Sequence, residues 1–152
     1  MGSNEYSKSL HVLGSSHHIA NLAVREKISL PQDKIDEFYS GLSALPGLEE
    51  CLLLNTCNRT EIYGASSNGF SPDLLHKYLS DFREIDPDFL SKHSYRHSGE
   101  KVVRHLFEVT SGIDSQMVGE TEILGQVKKA YEDACHRNVS GKMLNRLFQK
   151  GF

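Results

Sequence analysis

Apolar residues recur along the chain in two rhythms, short runs and helical stripes, and their order predicts the elements. Leu10-His11-Val12-Leu13-Gly14-Ser15 reads as a short strand leading into a turn at Ser16-His17-His18. Asn21 to Leu30 has room for a turn or two of helix. Pro31 suits a helix start, and Ile35, Phe38, Tyr39, Leu42 and Leu45 follow at helical spacing up to Pro46-Gly47. Cys51-Leu52-Leu53-Leu54 is an apolar run between turn signals, as a buried strand would be, and Glu61 to Ala65 is a second strand closed by a turn at Ser66 to Gly69. Another helix starts at Pro72, with Leu74, Leu75, Tyr78, Leu79 and Phe82 on one face, and Tyr95-Arg96-His97 is a last short strand. Strand, helix, strand, strand, helix, strand is the order of an α+β fold of the ferredoxin-like, split βαβ kind, over roughly residues 8–98.

From Gly99 onward the pattern is helical. Val102, Val103, Leu106 and Phe107 make one apolar face. Ile123, Leu124, Val127, Ala130, Tyr131, Ala134 and Cys135 make a stronger one, which assigns Cys135, like Cys51, to core packing. Ser111 to Gly119 is an irregular connection, and Met143-Leu144 with Leu147-Phe148 forms a last amphipathic stretch. The 152 residues suit one domain with one substantial core.

Composition narrows the classes. Hydrophobic and charged fractions of 38% and 24% are those of an ordinary globular chain. No apolar run approaches the ~20 residues that cross a bilayer, and Met1 to Glu5 lacks a signal-peptide pattern, so no membrane and a cytoplasmic setting are expected. A net charge of −3 argues against general electrostatic binding of nucleic acid. A local patch for one RNA stays open: Lys142, Arg146 and Lys150 form a basic stripe, although a solvated helix face explains it more simply. Cys51, Cys57 and Cys135 are odd in number and contain no Cys-x-x-Cys pair, so they suit neither disulfides nor zinc, and no metal is expected.

Three segments carry candidate chemistry. In Leu54 to Tyr63, Cys57 lies just past a strand end with Arg59 two residues on. A guanidinium near a thiol favours the thiolate, which is what an acyl-accepting nucleophile requires. The plainer alternative is a buried structural cysteine with Arg59 paired to Glu61. His105 falls on the flank of its helix's apolar face, where it would either serve as acid or base beside a thiol or simply face solvent. His17 and His18 are weaker candidates of the same kind. In the third segment, Glu120 and Glu122 open a helix, where carboxylates meet exposed N–H groups. Glu120 projects to the apolar side and needs a partner there, such as Arg59, Arg25 or a ligand amine, while Glu122 and Gln126 share a polar face.

Leu54-Asn55-Thr56-Cys57-Asn58-Arg59-Thr60-Glu61-Ile62-Tyr63 resembles the signature of glutamyl-tRNA reductases. So do His105-Leu106-Phe107, Ser111 to Ser115, and Gly119-Glu120 through Gly125-Gln126-Val127-Lys128, with a weaker match at Gly14 to His17 and Val24 to Glu26. The resemblance implies that Cys57 is the nucleophile that takes glutamate from its tRNA ester as a thioester, and that His105 matters for activity. It implies that Thr56, Asn58, Arg59, Ser115, Glu120, Thr121, Glu122 and Gln126 hold the glutamyl moiety. It also implies reduction by NADPH to glutamate-1-semialdehyde, on the way to 5-aminolevulinate and porphyrins, and a ferredoxin-like catalytic domain. Residues 1–152 then form the N-terminal catalytic domain. The NADPH-binding domain and the domain through which the family forms homodimers lie outside it, so the fragment is expected to manage acyl transfer or ester hydrolysis alone. Partners implied are glutamyl-tRNA and, as a candidate, glutamate-1-semialdehyde aminomutase. Ile19, Asn21 and Glu122 depart from residues common in the family. The alternative functions are a non-catalytic module that binds glutamyl-tRNA or a regulator, and an unrelated thiol acyltransferase with Cys57 and His105 as a dyad.

Overall fold

Period-two alternation along the strands decides the architecture, because both faces of the sheet carry apolar side chains. The computed structural model describes residues 9–67, 69–112 and 122–151. Strand β1 (Leu10–Ser16) leads to helix α1 (Leu22–Ile28), a single turn at Gln32–Lys34, helix α2 (Ile35–Leu42), and the hairpin of β2 (Leu48–Asn55) and β3 (Arg59–Ser66). Helices α3 (Asp73–Arg83) and α4 (Pro87–Lys92) precede β4 (Tyr95–Ser98), and α5 (Glu100–Thr110), α6 (Ile123–His136) and α7 (Lys142–Gly151) follow. The four strands are antiparallel in the order β2-β3-β1-β4, which is the ferredoxin-like arrangement the element order predicts. Helix α4 adds to that expectation. It is too short for periodicity to reveal, but Asp86 caps it and Pro87 occupies its first turn.

One face of the sheet presents Leu13, Cys51, Leu53 and Ile62 to Phe38, Leu42, Leu75, Leu79 and Leu90 of α2 to α4. The other presents Leu10, Val12, Leu52, Leu54, Tyr63 and Ala65 to Val102, Leu106, Val127, Leu147 and Phe148 of α5 to α7. The sequence Leu52-Leu53-Leu54 is continuous rather than alternating because each neighbour has a different core to enter.

Two readings of the C-terminal helices need correction. Helix α5 packs through Val102, Leu106 and Val109, leaving Val103 and Phe107 exposed at 38% and 61%. Cys135 is exposed too, because α6 is buried through Ile123, Val127 and Ala134 and the next residue turns ~100° away.

Strand β2 is an edge, and its outward N–H groups are covered. Cys51 N–H donates to Val139 O at 2.9 Å, and Leu53 N–H to the Tyr39 hydroxyl at 2.7 Å. Arg137 lies over the Tyr39 ring, 4.6 Å from its centre, and ion-pairs with Asp36 at 2.8 Å and Asp133 at 2.9 Å. Glu50, also on β2, accepts from Gly141 N–H and Leu144 N–H at 2.8 Å and from Met143 N–H at 3.1 Å, fixing the start of α7. Such covering removes an open template for strand addition. Among the described residues no helix is long and apolar enough to cross a membrane.

Candidate active site

The β2–β3 hairpin places a thiol at its tip. Thr56 N–H donates to Arg59 O at 2.8 Å, closing a turn with Cys57 and Asn58 at its corner. The Thr56 hydroxyl oxygen accepts from Asn58 N–H at 3.2 Å and Arg59 N–H at 3.1 Å, so this side chain shapes the turn. The turn's carbonyls are held from the β1–α1 side, by His17 N–H on Asn58 O at 2.9 Å and by Arg25 Nε on Cys57 O at 3.3 Å. Cys57 is exposed and lines a cavity of about 250 Å³ with Ser15, Leu22, Arg25, Thr56, Arg59 and Thr60 among its other walls. That is the scale of a small organic group. The contrast with Cys51 is plain: burial, with the charge of Glu50 second, pushes that thiol up to about 12, where it stays protonated.

Behind the turn lies a buried charge cluster. Arg59, Glu61 and Tyr63 alternate on β3 and so share the sheet face beneath the C-terminal helices. Arg59 is 2% exposed, with Nη1 3.4 Å from a carboxylate oxygen of Glu61, itself wholly buried. Tyr63 donates to Glu61 Oε1 at 2.7 Å, and the Tyr95 hydroxyl and His105 Nε2 both bond to Oε2. Burial pushes the Glu61 carboxyl upward, but hydrogen bonding and charge from His105, then Arg59 and Tyr95, outweigh it and hold the group at about 2. Burial, reinforced by that carboxylate, drives the Tyr63 phenol well above its usual range.

The structure therefore brings Thr56, Cys57 and Arg59 into one cavity and links Arg59 through Glu61 to His105. His105 is neither core nor fully solvent-facing; its side chain is 14% exposed. Arg59 pairs with Glu61, as the plainer alternative expects, but Cys57 is exposed and not a buried structural thiol. Asn58 contributes its carbonyl to the turn's anchor on His17. Gln126 lines a second cavity, of about 350 Å³, which shares Thr56 with the first. Glu122 is exposed at the start of α6. Ser115, Glu120 and Thr121 lie outside the described residues. The His17 and His18 rings lie against each other at a tilt of 34°, with centres 4.2 Å apart. The basic stripe of Lys142, Arg146 and Lys150 is on the exposed side of α7. Sequence reasoning missed Glu61 as a hub. The available signal was two opposite charges at i and i+2 running into the apolar stretch Ile62 to Ala65, which puts both on one face of a buried strand.

The family model described as "Glutamyl-tRNAGlu reductase, N-terminal domain" matches residues 13–152. The chain belongs to that family. The glutamyl-tRNA reductase of Heliobacterium mobile is 39% identical over 144 residues, which is 93% of this chain and 32% of that protein. That of Desulforudis audaxviator is 41% identical over 139 residues, 91% of this chain and 31% of its own length. The solved structure of glutamyl-tRNA reductase from Methanopyrus kandleri matches with a TM-score of 0.75 at 30% identity, covering 95% of this chain and 32% of that one. The chain thus spans about a third of the length of these glutamyl-tRNA reductases. Among the described residues no group of three or more His, Cys, Asp or Glu is arranged to hold a metal ion.

Proposed function

We propose that this chain is the acyl-accepting domain of a glutamyl-tRNA reductase in tetrapyrrole formation, with Cys57 as the nucleophile. The observation that carries the reading is the exposed Cys57 thiol on a braced hairpin tip, lining a cavity whose wall includes one end of the Arg59–Glu61–His105 chain. The Cys57 thiolate forms a carbon–sulfur bond to the ester carbonyl, and the bond from that carbon to the ribose oxygen breaks. The departing oxygen takes a proton and leaves as free tRNA, with the glutamyl group held as a thioester. We take His105, held at Nε2 by Glu61, as the general acid that supplies this proton. Arg25 and Arg59 line the cavity that receives the glutamyl group, and a guanidinium suits its side-chain carboxylate. Thr56 and Asn58 act by holding the turn, while Ser115, Glu120, Thr121, Glu122 and Gln126 remain proposed contacts to the glutamyl moiety.

Glutamyl-tRNA reductases imply NADPH as the hydride source. This chain's residues do not fit a dinucleotide: the sheet is antiparallel, and no Gly-x-Gly-x-x-Gly turn joins a strand to a helix. On this reading cofactor binding falls to a part of the enzyme outside this chain, the homodimer forms through a C-terminal domain also outside it, and glutamate-1-semialdehyde aminomutase is a candidate partner. The test uses tRNA charged with labelled glutamate, followed by an acid quench. Label that stays on the protein, is released by hydroxylamine and is missing from Cys57→Ser is the expected result. Binding of the charged tRNA without any such label would instead make the chain a recognition module.

A further inference from the structure

We propose that Tyr95 is a positioning residue for His105, acting through Glu61 across the strand that separates them; this rests on the proton-delivering role given to His105 above. Tyr95 is on β4 and Glu61 on β3, and β1 runs between them. Two strand spacings amount to ~10 Å, so contact requires an opening in the intervening strand. Gly14 provides it. It is in register with Glu61 on one side and with Tyr95 on the other. A Cβ at position 14 would come 2.6 Å from Glu61 Cγ and 3.1 Å from the Tyr95 hydroxyl oxygen. The phenol therefore reaches across Gly14 and donates to Glu61 Oε2, the oxygen that also binds His105 Nε2.

The remaining contacts leave the imidazole little freedom. Tyr63 holds the other carboxylate oxygen at 2.7 Å, which prevents Glu61 from rotating. The Tyr95 and His97 rings each lie 5.2 Å from the His105 ring, and 5.7 Å from each other. Tyr95 thus acts twice, fixing the carboxylate that orients the imidazole and packing against the imidazole itself. The other charged and titratable groups acting on this cluster are Arg59, Glu61 and Tyr63 of β3, His97 of β4, and Lys101 and Glu108 of α5.

Tyr95→Phe removes the hydroxyl and keeps the ring, so a space-filling role would pass unnoticed. The expected result, in single-turnover transfer of glutamate from charged tRNA to Cys57, is a rate about tenfold lower at saturating tRNA. The tRNA concentration giving half the maximal rate stays unchanged. The alkaline limb of the pH profile, where the general acid loses its proton, moves to higher pH, because a carboxylate with one donor fewer holds the His105 proton longer. A wild-type rate with an unmoved limb would overturn the proposal. A readout independent of catalysis is the nitrogen NMR signal of His105 Nε2, which is expected to shift in Tyr95→Phe; an unchanged signal overturns the proposal as well. If the unsubstituted chain transfers no glutamate to Cys57, the function proposed above fails, and the NMR signal alone decides the role of Tyr95.

Discussion

Glu61 is a carboxylate that the fold removes from water completely, and it survives there ionised only because of what surrounds it. Burial alone would neutralise it; His105, Arg59 and Tyr95 reverse that and hold it at about 2, below its ordinary 4.5. A carboxyl with a depressed folded value adds stability that is fully present above the unfolded value and is lost as pH falls toward the folded one. The contribution of Glu61 therefore disappears between about 4.5 and about 2. Glu61→Gln leaves Arg59 facing a neutral partner in a buried site, which costs about 3 kcal/mol. Urea unfolding at neutral pH should show that loss, and the gap between the two proteins should narrow as pH falls through that window. Equal stability of the two at neutral pH would mean that the cluster contributes nothing net.

Among the elements, α7 depends on a residue far from it in sequence. The Glu50 side chain accepts from three N–H groups at the start of that helix, which otherwise have no partner within the helix itself. Removing an N-terminal cap costs about 1–2 kcal/mol. Glu50→Ala should lower stability by that amount, with the Leu144 amide the first to lose protection in hydrogen exchange. Uniform loss of protection across the sheet would indicate that Glu50 supports β2 rather than the helix. Helix α7 in turn seats Phe148 edge-on against Tyr63, ring centres 5.1 Å apart, so its start and the Glu61 cluster are joined through one packed layer.

The whole molecule is a ferredoxin-like unit whose second face is closed by α5 to α7. Without them Leu10, Val12, Leu52, Leu54, Tyr63 and Ala65 would meet water, and Glu61 would lose His105. A chain ending at Ser98 is therefore expected to bind hydrophobic dyes and lose near-ultraviolet circular dichroism while keeping part of its secondary structure. Sharp cooperative unfolding of that truncated chain would show that one layer of helices suffices. For the site, the consequence is that Cys57 and His105 come from opposite sides of this division: the thiol from the split βαβ unit and the imidazole from the layer added to it.

Local chemistry determined a great deal by itself. Short apolar runs and period 3.6, with Pro31, Pro46-Gly47 and Pro72 as boundaries, carry the element order, and that order carries the fold. The residues around Cys57 mark its turn and the family, since such a motif is contiguous. Only tertiary structure decided which charges meet. Tyr95 and His105 lie 34 and 44 residues from Glu61 in sequence, and nothing in a strand residue's neighbours says which helix will cover it. The same reason explains Cys135, Val103 and Phe107: periodicity gives a helix an apolar arc, but the partners that pack against it choose which part of the arc is buried. Gly14 sums up the difference. As a letter it is a weak break in a strand; between Glu61 and Tyr95 it is the opening through which they touch, because strand register, and not sequence, sets what lies on either side of it.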